Sequence, residues 1–406
     1  MTAPSSPEDA RPESRGDLTP RFADHLTGYA LPLGLFALLT GMIWSGDRGH
    51  YHQFFYWLLA LPSFVLAASK RDVLAHLARS PIFLAFAAFG AYLSLSIAWS
   101  GTEDGVGSLL KRPLYVLLLF IAVVELGRCR PDRLSLVVRA AALFAVAAGA
   151  ISLLLFGLAG PDGPDGRLSG FGALRNPLLT SHVFGFFLAL WIAFWMSERR
   201  LFSPLSIVAV VVLGALILAT GSRTPLVALA ATVLWLAALS GDRRGLLACA
   251  ALLGIGTLVA IAWPEAFAQR GLSYRPQIWA EALRQIAEHP LIGHGYEHPL
   301  RIHIDGIDYP FWDPHNMSLS VLYQGGLIGL GLWLALYLTA LITSWRRRSN
   351  LAVFICSAPL VYGLVAGMTE GGSFLSRPKE HWFLIWIPLA LLAAAIHGDD
   401  EDGQTA

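Results

Sequence analysis

Charge is scarce in this chain. Only 14% of its 406 residues are Asp, Glu, Lys or Arg, where a soluble domain carries about a quarter. A solvated globular surface over most of the length is excluded. The net charge is +1, so no basic face suggests nucleic acid. The three cysteines, Cys129, Cys249 and Cys356, match no metal-binding spacing. The polar, Pro/Ser-rich start contains no apolar core, so no cleavable signal peptide is expected. Neither a repeat of roughly 20–50 residues nor inverted symmetry between the halves is apparent, which weighs against a transporter built from repeats.

Apolar residues fill the space that charge leaves. They make up 55% of the chain, and the mean hydropathy is +0.57. Twelve spans are expected, at 28–44, 52–68, 82–98, 112–126, 136–158, 178–196, 205–220, 224–239, 245–263, 317–344, 350–368 and 381–396. Each is a candidate to cross a hydrocarbon core about 30 Å thick. The fold class is therefore an all-α polytopic membrane protein. The chain divides into a disordered tail (1–27), nine spans (28–263), a polar loop with short helices (264–316), three spans (317–396) and an acidic tail (397–406).

Alternate loops differ in basic residues. One set gathers Arg11, Arg15, Arg21, Lys70, Arg71, Arg79, Arg128, Arg130, Arg133, Arg139, Arg199, Arg200, Arg243, Arg244 and Arg346–Arg348, which is 17 of the 29 Lys and Arg. The positive-inside rule assigns this set and both termini to the cytoplasm. The 264–316 loop then lies outside, with 45–51, 99–111, 159–177, 221–223 and 369–380. The cysteines fall on the cytoplasmic side, so no external disulfide is expected.

The outer loop concentrates polar chemistry. Arg223 stands in a tight break between two apolar runs, Gly221-Ser-Arg223-Thr-Pro225. A charge near hydrocarbon is costly unless an anion accompanies it or the side chain reaches the headgroups. Pro225 suits a first helical turn, whose free N–H groups also favour an anion. Arg275 precedes Pro276, and a helix is expected over 276–288 with Ile278, Trp279, Ala282, Leu283 and Ile286 on one face, lying on the membrane surface. Arg275 at its start is either an anion ligand or an interfacial anchor. Arg284 has Glu281 and Glu288 at helical spacing and reads as structural.

In Trp312-Asp-Pro-His-Asn-Met317, Asp313 is expected to cap a helix beginning at Pro314, with His315 and Asn316 in its first turn. The positive end of a helix favours the neutral imidazole that a general base needs; a purely structural histidine is the alternative. Tyr274, Arg301, Asn316 and Arg167 complete the candidate substrate-binding set. His289, His294, His298 and His303 follow no ligand spacing, and Asp305, Asp308 and Asp313 read as solvated, so no metal and no cofactor are expected.

The segments Arg275-Pro-Gln-Ile-Trp-Ala-Glu-Ala-Leu283, Glu288-His-Pro-Leu-Ile-Gly-His-Gly-Tyr296 and Pro314-His-Asn-Met-Ser-Leu-Ser-Val-Leu-Tyr-Gln-Gly-Gly-Leu-Ile-Gly-Leu330 resemble the signature of the O-antigen ligase and polymerase superfamily. Gly221-Ser-Arg223-Thr-Pro225 matches its short Ser-Arg motif, and Arg167-Leu-Ser-Gly170 with Arg175-Asn-Pro177 is similar to another. The resemblance covers about 160–335 well. Gln324 departs from it, since many members carry glutamate there.

The resemblance implies a GT-C-like, metal-independent glycosyltransferase of the inner membrane. It would move O-antigen from undecaprenyl diphosphate to lipid A–core oligosaccharide on the periplasmic side, inverting the anomeric centre. Arg223 and Arg275 would hold the diphosphate, and His315 would act on the acceptor hydroxyl. Partners are these two glycolipids and membrane lipids, with no nucleic acid. The competing readings are an O-antigen polymerase, a protein O-glycosyltransferase and, outside enzymes, a flippase for lipid-linked sugar. A flippase should carry charges through mid-membrane on several spans, whereas here they gather at one edge.

Overall fold

The computed structural model describes residues 20–159, 166–198, 203–262, 274–304 and 306–402. Among them the chain is helical, and the only strand-like pairing is a single bridge between Ile302 and Phe311. Helices lie over all twelve apolar ranges: α1 (Phe22–Trp44), α2 (48–69), α3 (Pro81–Trp99), α4 (Val106–Cys129), α5 (Pro131–Ala159), α6 (Pro177–Ser197), α7 (Pro204–Ala219), α8 (Thr224–Ser240) and α9 (Arg243–Ala262). An amphipathic helix, α10 (Arg275–Ile286), follows; then come α11 (Met317–Arg346), α12 (Leu351–Gly367), the short α13 (Glu380–Leu384) and α14 (Trp386–Asp402). Five of them, α1, α3, α5, α6 and α11, are long and apolar enough to cross a bilayer, and several others are apolar but shorter.

Proline marks the helix starts. Pro81, Pro131, Pro177 and Pro204 are first residues, where the missing N–H costs nothing. Asn176 caps α6 by accepting from the N–H groups of Leu178 and Leu179. The N-terminal stretch expected to be disordered to residue 27 is helical from Pro20, because Ala23 and Thr27 are buried there. At the other end α14 runs on to Asp402 instead of stopping before an acidic tail.

The C-terminal helices occupy the centre of the bundle. Every residue from Trp382 to Ala394 is buried, and Trp386 lies edge-on to Phe86 and Trp333. A helix apolar all round belongs in a core or a bilayer, and packing puts this one in the core. The lipid-compatible surface lies elsewhere, as on α9, where Leu246, Leu253 and Ile261 are exposed.

One break in the helical order shapes the polar end. Gly326 interrupts α11 at φ 60°, ψ −163°, a conformation open in practice only to glycine. A Cβ there would lie 2.3 Å from the Leu291 carbonyl oxygen. The freed carbonyls of Tyr323 and Gln324 accept from the N–H groups of His294 and Gly295 at 2.9 Å each. Beyond the break, Leu327 N–H donates to Pro290 O at 2.8 Å. The His-Pro-Leu-Ile-Gly-His-Gly loop thus completes the backbone of a broken helix, as a low-dielectric setting demands.

Candidate functional site

Loops between alternate helices meet at one end of the bundle. Ala173 N–H donates to Met42 O, Arg48 pairs with Glu380, Arg112 pairs with Glu297, and the Tyr296 hydroxyl donates to Leu375 O. The candidate residues lie within this network.

Arg223 is the residue before α8 and helps form the turn at 221–223. Gly221 adopts φ +61°, and a Cβ on it would press within 3.3 Å of the Arg167 Nε. Arg167 donates from Nε to Thr220 O at 2.7 Å and from Nη2 to the Ser222 hydroxyl at 3.0 Å. Arg167 therefore buttresses the turn that presents Arg223. Arg223 itself is half-buried, and its guanidinium has no hydrogen-bond or ion-pair partner among the described residues.

Arg275 opens α10, preceded by Tyr274, which is exposed and left-handed at φ 57°. The Arg275 Nη2 donates to Thr369 O at 3.1 Å, while its buried Nε has no partner among the described residues. The Thr369 hydroxyl lies 2.8 Å from the Thr224 hydroxyl. One threonine thus ties the start of α10, at Arg275, to the start of α8, beside Arg223.

His315 lies outside its helix. The expected cap at Asp313 is replaced by Asn316, which accepts from Leu319 N–H at 3.0 Å and starts α11 at Met317. The reason is local. Asp313 folds back to accept from His315 N–H, and His315 takes φ +48°, which a helical first turn does not allow. The His315 Nδ1 stands 3.4 Å from the Asp313 carboxylate, with the imidazole partly exposed. Trp279 on α10 donates to Pro314 O at 3.0 Å, so the helix that carries Arg275 also positions the His315 loop. Asn316 is buried as the cap.

Arg301 does not join the arginines. Its guanidinium lies 5.1 Å over the Trp312 ring. Arg284 pairs with Glu281 at 2.7 Å and Glu288 at 3.3 Å, as its spacing suggests. Among the described residues no three His, Cys, Asp or Glu side chains are placed to hold a metal; Asp305 lies outside the described residues.

The sequence reading missed Thr369-Glu-Gly-Gly372. A Cβ on Gly371 would fall 2.2 Å from the Asp313 carboxylate, so this segment presses directly on the His315 loop. Glu370 turns inward, buried, with an oxygen 3.3 Å from the Nε2 of the buried His182. Two signals pointed there: an ionisable histidine inside an otherwise apolar span, and an acidic residue with paired glycines between two spans. Glu297 was also missed. Its backbone is left-handed at φ 59°, and its carboxylate meets Arg112 at 2.7 Å. Burial pushes that carboxyl up, against the opposing pull of Arg112.

The fold is that of a multi-helix membrane protein whose polar end holds Arg223, Arg275 and His315 at linked helix starts and turns. A family model described as O-antigen ligase matches residues 208–334, which include Arg223, Arg275 and His315. The chain is also 51% identical over 370 residues to an O-antigen ligase of Pseudomonas aeruginosa strain PAO1, covering 91% of each. The chain belongs to the O-antigen ligase family.

Proposed function

We propose that this protein transfers O-antigen polysaccharide from undecaprenyl diphosphate to lipid A–core oligosaccharide. It acts at the periplasmic face of the inner membrane as a metal-independent, inverting glycosyltransferase. In this reading the fold is a GT-C-like arrangement of twelve spans, with both termini cytoplasmic and 264–316 periplasmic.

The observation that carries the proposal is that Thr369 contacts both Arg275 and Thr224, the neighbour of Arg223, while the Arg223 guanidinium and the Arg275 Nε have no partner among the described residues. Buried cationic donors are costly without an anion. A lipid diphosphate supplies one, and planar guanidinium groups fit its oxygens bidentately. They stabilise the charge that develops on the diphosphate as the glycosidic bond breaks, a task otherwise suited to a divalent metal. His315, oriented by Asp313, takes the proton of the incoming sugar hydroxyl, whose oxygen attacks the anomeric carbon from the face opposite the leaving group. Tyr274 and Asn316 frame the two helix starts, and Arg167 holds the Arg223 turn.

The test is transfer in vitro. Purified protein, lipid-linked O-antigen and lipid A–core should give ligated product, and EDTA should leave the rate unchanged. Product formed only when a second lipid-linked glycan replaces lipid A–core would make the protein a polymerase. Loss in EDTA with recovery on adding Mg²⁺ or Mn²⁺ would end the metal-independent mechanism.

A further inference from the structure

A cavity of about 320 Å³ opens beside the Asp313–Pro314 turn, and Arg275 is not part of its wall. Glu297, His298, Trp312, Asp313, Gln324 and Ser373 contribute to its wall. Its size falls within the range of small-molecule sites. Thr369 O holds Arg275, while Gly372 and Ser373, three and four residues on, line the cavity. Four residues span at most about 14 Å, so the cationic site and the cavity flank one short segment with Asp313 pressed against it.

The chemistry of the wall is that of a sugar site. Trp312 is 60% exposed, and Arg301 stacks against its ring and steadies it. An aromatic face held in this way suits the apolar C–H face of a pyranose. Around it stand groups that match hydroxyls. Gln324 accepts from Glu297 N–H through Oε1 at 3.1 Å, which fixes the amide and leaves Nε2 without a partner among the described residues. The Glu297 carboxylate accepts from Arg112 at 2.7 Å and has acceptor capacity left over. Glu297 also has a left-handed backbone, like Tyr274 and His315. Such strain persists where the surroundings impose it, and it clusters at ligand sites.

We propose that this cavity is the acceptor subsite: it binds the receiving sugar of the core oligosaccharide, with Trp312 as stacking platform and Gln324 and Glu297 as hydroxyl partners. The proposal rests on the ligase reading given above. The lining of the cavity favours acceptor over donor, because Asp313 and Pro314 of the His315 loop form part of its wall while Arg223 and Arg275 do not. Gln324 is then a specificity position. A glutamate there would replace an N–H₂ donor with a second carboxylate beside Glu297, which changes the hydroxyl pattern the site accepts.

The experiment measures steady-state transfer with full-length protein in lipid nanodiscs, varying lipid-linked O-antigen and lipid A–core separately. Binding of delipidated core oligosaccharide without donor is measured in parallel. Trp312→Ala and Gln324→Glu should each raise the acceptor KM by roughly three- to tenfold. The donor KM should stay within about twofold of wild type, and Trp312→Phe should recover most of the loss. Core oligosaccharide should bind the wild type and bind Trp312→Ala more weakly. If the donor KM rises instead, or kcat alone falls, the cavity is not the acceptor site. Unchanged oligosaccharide binding in Trp312→Ala overturns the proposal even if the wild type shows no transfer. Absence of wild-type transfer with intact, Trp312-dependent oligosaccharide binding counts against the ligase reading and leaves the sugar site standing.

Discussion

The two ends of the helical bundle treat arginine differently. At one end Arg128 forks onto the buried Glu125 at 2.8 and 3.2 Å, and Arg130 meets Asp24. Arg244 reaches Met196 O at 3.3 Å in the last turn of α6, where cations are favoured, and Arg347 reaches Ile396 O at 3.2 Å. At the opposite end Arg48 and Arg112 are paired in the same manner, yet Arg223 has no partner among the described residues and Arg275 keeps a buried N–H unpaired. All three left-handed non-glycine residues among the described ones, Tyr274, Glu297 and His315, lie at that end as well. At the first end the mostly buried Arg128 is matched by a carboxylate without any ligand. The second carries unpaired cationic donors and local backbone strain, the marks of a place where something binds.

The broadest way to break this comparison is to ask which compartment each end faces. Cysteines introduced at Gly306 and Gly166 should react with an impermeant thiol reagent from the periplasm, and one at Arg347 should not, an all-or-none difference. The reverse pattern would put the open end in the cytoplasm and remove the proposed donor from its reach.

Within the open end, His315 should show the largest kinetic effect. His315→Ala is expected to lower turnover by roughly 10²–10⁴-fold, with binding of lipid-linked donor nearly intact. An equal loss of donor affinity would make His315 a diphosphate contact instead of the base. The two arginines come next. Arg223→Lys and Arg275→Lys keep the charge but lose the planar fork, and each should cost on the order of ten- to a hundredfold in transfer at matched membrane expression. Near-normal activity in both would remove the diphosphate clamp.

Much of this end was legible in the sequence, and the rest was hidden for physical reasons. Pro225 and Pro276 marked the starts of α8 and α10, because a restricted φ and a missing N–H are local properties. The Arg223 turn was visible for the same reason. The cap of α11 was misread: Asp313 and Asn316 are both good caps, and only the left-handed turn at His315 decides between them. Thr369 escaped notice because its contribution is a backbone carbonyl and a hydroxyl, joined to partners 94 and 145 residues away. Arg301 was placed in the substrate-binding set, and the fold stacks its guanidinium on Trp312, a long-range contact that sequence spacing does not reveal.

The smallest expected effect is also the sharpest control, because it lies on the same helix as Arg275. Arg284 is exposed and held by Glu281 and Glu288 on its own helix. Surface pairs of this kind contribute little, so Arg284→Ala should leave transfer within about twofold of wild type. The Arg284 guanidinium, through hydrogen bonds, holds the Glu281 carboxyl down to about 2 from an ordinary value of 4.5. A depressed carboxyl stabilises the folded state above its unfolded value, and that contribution is lost as the pH falls from 4.5 through 2. Between pH 6 and 8 the pair is fully ionised, so the ratio of Arg284→Ala to wild-type rates should be flat there. Rates and melting temperatures measured across both windows provide the check. A variant that lost transfer as steeply as Arg275→Lys would show that α10 as a whole, and not its first residue, sets the geometry of the site.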